Sequence, residues 1–262
     1  MSRLHGLDFV RAFLTYVTRN TVGAITRVQT KEPVAALTFD DGPDPEFTPQ
    51  LLDILESNGA RGTFFMLGTA AQRYPVVVRR AAEGGHIIGN HSWDHPSFPY
   101  ISRRERLVQI RACEKTLAPY GQRLFRPPYG HQSFASGLDT LQLGYQVVCW
   151  NVIGKDWLDH DAHWIANRVL SQLTPGCIVN FHDALYTTIE ERYADRGPML
   201  EAVRIILEQT RERFRFVSIP ELLRYGRPHK THWYRRADVD FLNGLRTQQG
   251  DARQYGQDKG GK

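Results

Sequence analysis

Short apolar, β-prone runs recur along this chain at 34–40, 62–67, 86–91, 123–127, 146–152, 177–182 and 214–219, with amphipathic stretches between them. That alternation constrains the fold more than any other feature. Strands alternating with helices argue for a parallel sheet with its helices outside. The helical stretches carry their own punctuation. "PEFTPQLLDILESNG" places Phe47, Leu51, Leu52 and Leu55 on one face and stops at Gly59. "SRRERLVQIRACEKTLAPYG" opens on Ser102 with Glu105 three residues later, the spacing of a capping box. Seven strands in one unit favour an α/β fold of the distorted (β/α) barrel type, with about seven parallel strands. An open doubly wound sheet is the other arrangement this pattern allows. The 262 residues suffice for a sizeable core. They divide into a lead segment (1–33), a domain (34–225) and a basic, polar tail (226–262), in which Trp233, Tyr234, Phe241 and Leu242 offer docking points.

In either architecture, chemistry sits at the C-terminal ends of the strands. Five of those ends are polar here. The first closes on Asp40-Asp41, the third on "GNHSWDHP" with His91 and His95, and the fourth on "RPPYG" with Arg126 and Tyr129. The fifth leads to "WNVIGKDW" with Asp156 and Trp157, and the sixth ends in "VNFHD" with His182 and Asp183. Polar ends gathered on one rim make a site.

His91 and His95 are spaced H-x-x-x-H, and Pro96 disfavours helical geometry at His95, which points to a turn. Alone, that spacing serves a structural pair as well as a metal. With carboxylates on the same rim, a mononuclear His/His/Asp site is the better reading. It also accounts for the adjacent aspartates. One can ligate a cation while the other stays free as a base, and the cation relieves their repulsion. Successive strand residues face opposite ways, so both reach one site only if the strand breaks, and Gly42-Pro43 supplies the break.

"TFDDGP", "HSWDHP", "RPPYG", "DW" and "IVNFHD", in this order, resemble the five motifs of the polysaccharide deacetylases, carbohydrate esterase family 4 with its NodB homology domain. The resemblance spans about 34–220 and implies a distorted (β/α) barrel. By position it implies Asp40 as general base, oriented by Arg126, and Asp41, His91 and His95 as metal ligands. It further implies the backbone N–H of Tyr129 at the oxyanion, Trp157 walling the acyl pocket, and His182 as general acid oriented by Asp156. The implied activity is metal-dependent removal of N-acetyl groups from amino sugars of a glycan or glycoconjugate. Zinc is the expected ion, and nitrogen and oxygen ligands would also take cobalt or nickel. Asn180 departs from the pattern, which usually has a leucine lining the acetyl pocket there. That makes Asn180 either a substrate-binding residue or a tolerated substitution hydrogen-bonded by its neighbours, and leaves the acyl group open. Two other readings stand beside this one: a small-amide or imide hydrolase of the same superfamily, and a carbohydrate-binding relative without catalysis.

The excess of positive charge, +5 overall, sits in the two end segments, while 34–225 holds slightly more acids than bases. Solvated tails are expected, and no nucleic-acid partner. Three cysteines without a C-x-x-C read as buried thiols. No run approaches the roughly 18 apolar residues of a membrane span, and Asp8 and Arg11 interrupt the N-terminal apolar stretch, so a cytoplasmic location is expected. His86 reads as structural, His131 as a substrate contact or a loop residue, and Phe98, Tyr100 and Tyr186 as loop aromatics on the rim.

Overall fold

The computed structural model describes residues 18, 21–186 and 194–235; the N-terminal amphipathic run, Phe241 and Leu242 lie outside them. Along the chain come β1 (Ala24–Gln29), β2 (Val34–Asp40), α1 (Phe47–Ser57), β3 (Thr63–Met66), α2 (Gly68–Arg73), α3 (Pro75–Glu83), β4 (Ile87–Asn90), α4 (Arg103–Leu117) and β5 (Gly121–Phe125). Then follow α5 (Phe134–Gln142), β6 (Gln146–Val147), β7 (Val152–Ile153), α6 (Ala162–Leu170), β8 (Ile178–His182), α7 (Gly197–Thr210), β9 (Arg215–Phe216), α8 (Ile219–Leu222) and β10 (Arg227–Thr231). Parallel pairing runs β6-β5-β4-β3-β2-β8-β7, with β9 beside the start of β2. This curled sheet with helices outside is the distorted (β/α) barrel.

β2 is buried along its whole length, between β3 and β8. Its side chains alternate between two cores. Leu37 and Phe39 pack outward with Leu51, Leu55, Phe64 and Phe181 beneath the helices. Val34 and Ala36 point inward with Phe65, Phe125, Trp150 and Ile178. The inward series continues to Thr38 and Asp40, so the interior of the barrel turns polar at its C-terminal mouth. The capping box of α4 is made: Ser102 N donates to Glu105 Oε2 at 2.7 Å, and Glu105 N to Ser102 Oγ at 3.3 Å. Cys113, Cys149 and Cys177 are free and buried. Among the described residues no helix is long and apolar enough to cross a membrane.

Two boundaries differ from the sequence reading. The run 146–152 is not one strand but two, β6 and β7, at opposite ends of the sheet path. Its middle carbonyls are taken by a side chain: Val148 O and Cys149 O accept from the Arg126 guanidinium at 3.1 and 3.2 Å. The lead and tail also reach into the packed unit. β1 pairs antiparallel with β10. Buried Trp233 crosses Trp150 at 5.2 Å between ring centroids, and its Nε1 donates to Gly130 O at 2.8 Å. This pairing joins segments about 200 residues apart, and the polar "RPHKT" carries no apolar periodicity to announce a strand. Phe98, read as a rim aromatic, is wholly buried against Phe125.

Candidate active site

β2 delivers Asp40 inward at its last position, and Asp41 then turns out of the strand with φ 74°. A left-handed residue without glycine is uncommon and marks a backbone held by its surroundings. The next residue has a steric reason to be glycine: a Cβ on Gly42 would stand 2.1 Å from Asp183 Oδ2. Asp183 is buried at the end of β8 and accepts from Thr48 Oγ1. Burial pushes its carboxyl up to about 7, against the pull of the Thr48 hydroxyl. Thus the break after β2 is pinned by a carboxylate contributed from another strand.

Asp41 Oδ1 lies 3.3 Å from His91 Nε2 and 3.2 Å from His95 Nε2. The ligand atoms of the three side chains fall within 4.8 Å of one another, and all three residues are buried. His95 sits in a turn with φ 63°, not on a helix, as Pro96 indicates. His91 Nδ1 donates to Arg126 O at 2.8 Å, which leaves its Nε2 lone pair facing Asp41 in the neutral ring. Burial pulls the His95 imidazole below its ordinary value despite the neighbouring carboxylate, and so favours its neutral form. Asp41 Oδ1 is buried with no hydrogen-bond donor. A carboxylate oxygen and imidazole lone pairs converging on one point repel each other, and a cation is what such a donor set satisfies. The residues present therefore fit a divalent metal. Asp41 Oδ2 accepts from the backbone N–H of Tyr186 at 3.1 Å, which orients the carboxylate.

Asp40 is buried and held at both oxygens. Arg126 Nη1 donates to Oδ1 at 2.8 Å and Asn180 Nδ2 donates to Oδ2 at 2.8 Å. Arg126 is wholly inaccessible, lies 4.1 Å from the Phe65 ring centroid, and also donates to Thr38 Oγ1 at 2.8 Å. One residue thus holds Asp40 with its guanidinium and His91 with its carbonyl.

Opposite Asp40 in the β2–β8 register stands His182. Its Nδ1 donates to Asp156 Oδ1 at 3.1 Å, and its backbone N–H to Asp156 Oδ2 at 2.9 Å. Arg196 closes this cluster from the start of α7, with Nη1 at 2.9 Å from Asp156 O and 3.4 Å from Oδ2. Burial depresses the His182 imidazole, but Asp156, with Asp41 and Asp40 behind it, more than offsets this and raises it to about 9. The Trp157 ring meets His182 edge-on at 5.2 Å. Tyr129, with φ 58°, sets its ring edge against His95 at 4.3 Å.

All ten sequence-derived candidates, Asp40, Asp41, His91, His95, Arg126, Tyr129, Asp156, Trp157, Asn180 and His182, therefore lie in one connected cluster. His86 is structural: its ring accepts from Gly62 N at 3.0 Å, and burial pushes it down to about 4. His131 contacts Ser97 Oγ at 3.0 Å. Sequence reasoning missed Arg196, Thr48 and the Tyr186 backbone. Arg196 stands alone before a Gly-Pro helix start, and a backbone N–H has no sequence signature.

The model of the family described as polysaccharide deacetylase matches residues 27–148. A peptidoglycan-N-acetylglucosamine deacetylase of Bacillus cereus is 34% identical over 198 residues, covering 74% of this chain and 70% of that protein. A chitooligosaccharide deacetylase of Azorhizobium caulinodans is 34% identical over 168 residues, covering 63% of this chain and 80% of that protein. Among solved structures, a peptidoglycan N-acetylglucosamine deacetylase superposes with a TM-score of 0.71 at 31% identity, covering 80% of this chain and 96% of that one. With the barrel and the five motifs at its mouth, these similarities show that the chain belongs to the polysaccharide deacetylase family, hydrolases acting on carbon–nitrogen bonds other than peptide bonds.

Proposed function

We propose that this protein hydrolyses N-acetyl groups from amino-sugar residues of an oligo- or polysaccharide, releasing acetate and a free amine. The observation that carries this reading is the meeting of Asp40, the Asp41/His91/His95 cluster and the His182–Asp156 pair at one barrel mouth. A divalent metal held by Asp41, His91 and His95, with zinc the first choice for this donor set, would polarise the amide carbonyl and acidify water. Asp40, clamped by Arg126 and Asn180, takes the proton as water attacks the carbonyl carbon. The Tyr129 backbone N–H donates to the oxyanion, and Trp157 walls the acyl group. His182, charged and held by Asp156, gives its proton to the nitrogen as the carbon–nitrogen bond breaks. The names of the relatives favour a glycan over a small amide, since they act on peptidoglycan and chitooligosaccharide. The test is a screen of metal-loaded protein against peptidoglycan, N-acetylglucosamine oligomers and small amides, with acetate and amine both measured. Equal release of the two from a glycan is expected. Turnover of small amides alone, or of nothing by folded, metal-loaded protein, would overturn the reading.

A pH dependence follows from His182. Its acid form is the active one, and its value is raised to about 9, so activity is present below that pH and lost as pH rises through it. A cation at Asp41 repels the imidazolium and moves this limb lower. Asp156→Asn removes the main charge raising it, and the alkaline limb of kcat/KM should drop by about 1–3 pH units. A limb unmoved in Asp156→Asn would assign it to another group.

A further inference from the structure

Asn180 lies in the middle of β8, in register with Thr38 of β2 on one side and Ile153 of β7 on the other. It is 1% exposed. Its Nδ2 makes a 2.8 Å bond to Asp40 Oδ2 and a longer one, 3.3 Å, to Phe181 O. Its own carbonyl accepts from Gly154 N at 3.1 Å, so its backbone is tied to its neighbour. The side-chain donor is therefore fixed, and it is aimed at a carboxylate and not committed to a substrate group.

The geometry matters because an aspartate's terminal torsion is broad. Arg126 grips Oδ1 alone. One donor would leave the carboxylate free to swing about that contact. A second donor, on the other oxygen and from a different strand, stops the swing. Each carboxylate oxygen offers two lone pairs. The two donors occupy one on each oxygen and leave one on each, in a fixed direction, to receive a proton.

We propose that Asn180 is a positioning residue: it acts on the reaction through Asp40, by fixing the carboxylate plane, and not by reading the acyl group. This rests on Asp40 being the general base. Loss of the clamp misplaces the base by a fraction of an ångström to about 1 Å, which is worth on the order of 10- to 10²-fold in kcat.

The test uses Asn180→Leu, Asn180→Asp, Asp40→Asn and the Asp40→Asn/Asn180→Leu double variant, all metal-loaded, with melting temperature and metal content measured first. Asn180→Leu should lower kcat about 10-fold or more, with KM and metal content near wild type. The loss should be the same on N-acetyl and N-glycolyl versions of one substrate. Asn180→Asp keeps the shape but presents a charge to Asp40, and should lose more. In the Asp40→Asn background, Asn180→Leu should cost nothing further, because residues acting through one group are non-additive. A changed N-acetyl to N-glycolyl ratio with kcat retained would make Asn180 an acyl-recognition residue and overturn the proposal. So would an equal further loss in the double variant, which marks a structural effect. Wild-type kcat in Asp40→Asn is a separate failure, that of the base assignment itself.

Discussion

Asp40→Asn is expected to keep its metal and to lose about 10²-fold or more in kcat, the usual worth of general-base catalysis. The substitution preserves shape, and the amide oxygen still accepts from Arg126. What disappears is the ability to take a proton. The new amide nitrogen also meets Asn180 Nδ2, donor against donor, where a 2.8 Å bond stood. Arg126 loses its counter-charge in a wholly buried position. Removing one partner of such a pair can cost about 3–5 kcal/mol, but Arg126 keeps Thr38 Oγ1, Val148 O, Cys149 O and the Phe65 ring. A lowered melting temperature is therefore expected, without loss of the fold. Metal analysis separates the two aspartates. Asp41→Asn should weaken metal binding, because Asp41 Oδ1 faces both imidazoles. If Asp40→Asn lost the metal while Asp41→Asn kept it and turned over poorly, the two roles would be exchanged.

The double variant His91→Ala/His95→Ala should bind no metal and show no measurable deacetylation. Each histidine supplies one of three converging ligand atoms. Loss of a supporting partner alone costs about 10–100-fold in metal affinity, so loss of two ligands costs more. The fold should survive, since the two apolar cores contain neither residue. His91→Ala leaves Arg126 O without its donor, and a modest drop in melting temperature is expected from that vacated bond. The check is metal stoichiometry by elemental analysis, with circular dichroism to confirm folding. Full occupancy in the folded double variant would place the metal elsewhere.

Much of this site was legible because its parts are short and local. Asp40-Asp41 before Gly-Pro and His91 four residues before His95 each announce chemistry within a few residues. Strand-helix alternation then brings them to one rim, since parallel strands all end on the same side. The capping box of α4 was equally readable, as its two partners are three residues apart.

The parallel architecture and the polar motifs gathered at one barrel mouth were thus contained in the linear order of residue types, because local periodicity carries the first and short motif spacing the second. Tertiary structure alone decided what each group touches. Only the β2–β8 register brought Asn180, 140 positions from Asp40, to donate to its carboxylate. Only packing let the Arg126 guanidinium take the carbonyls at 148 and 149 and divide one apolar run into two strands. The β1–β10 pairing and the reach of Arg196 to Asp156 are of the same kind. Such contacts join residues far apart in the chain and leave no periodicity behind, so they exist only once the chain has closed on itself.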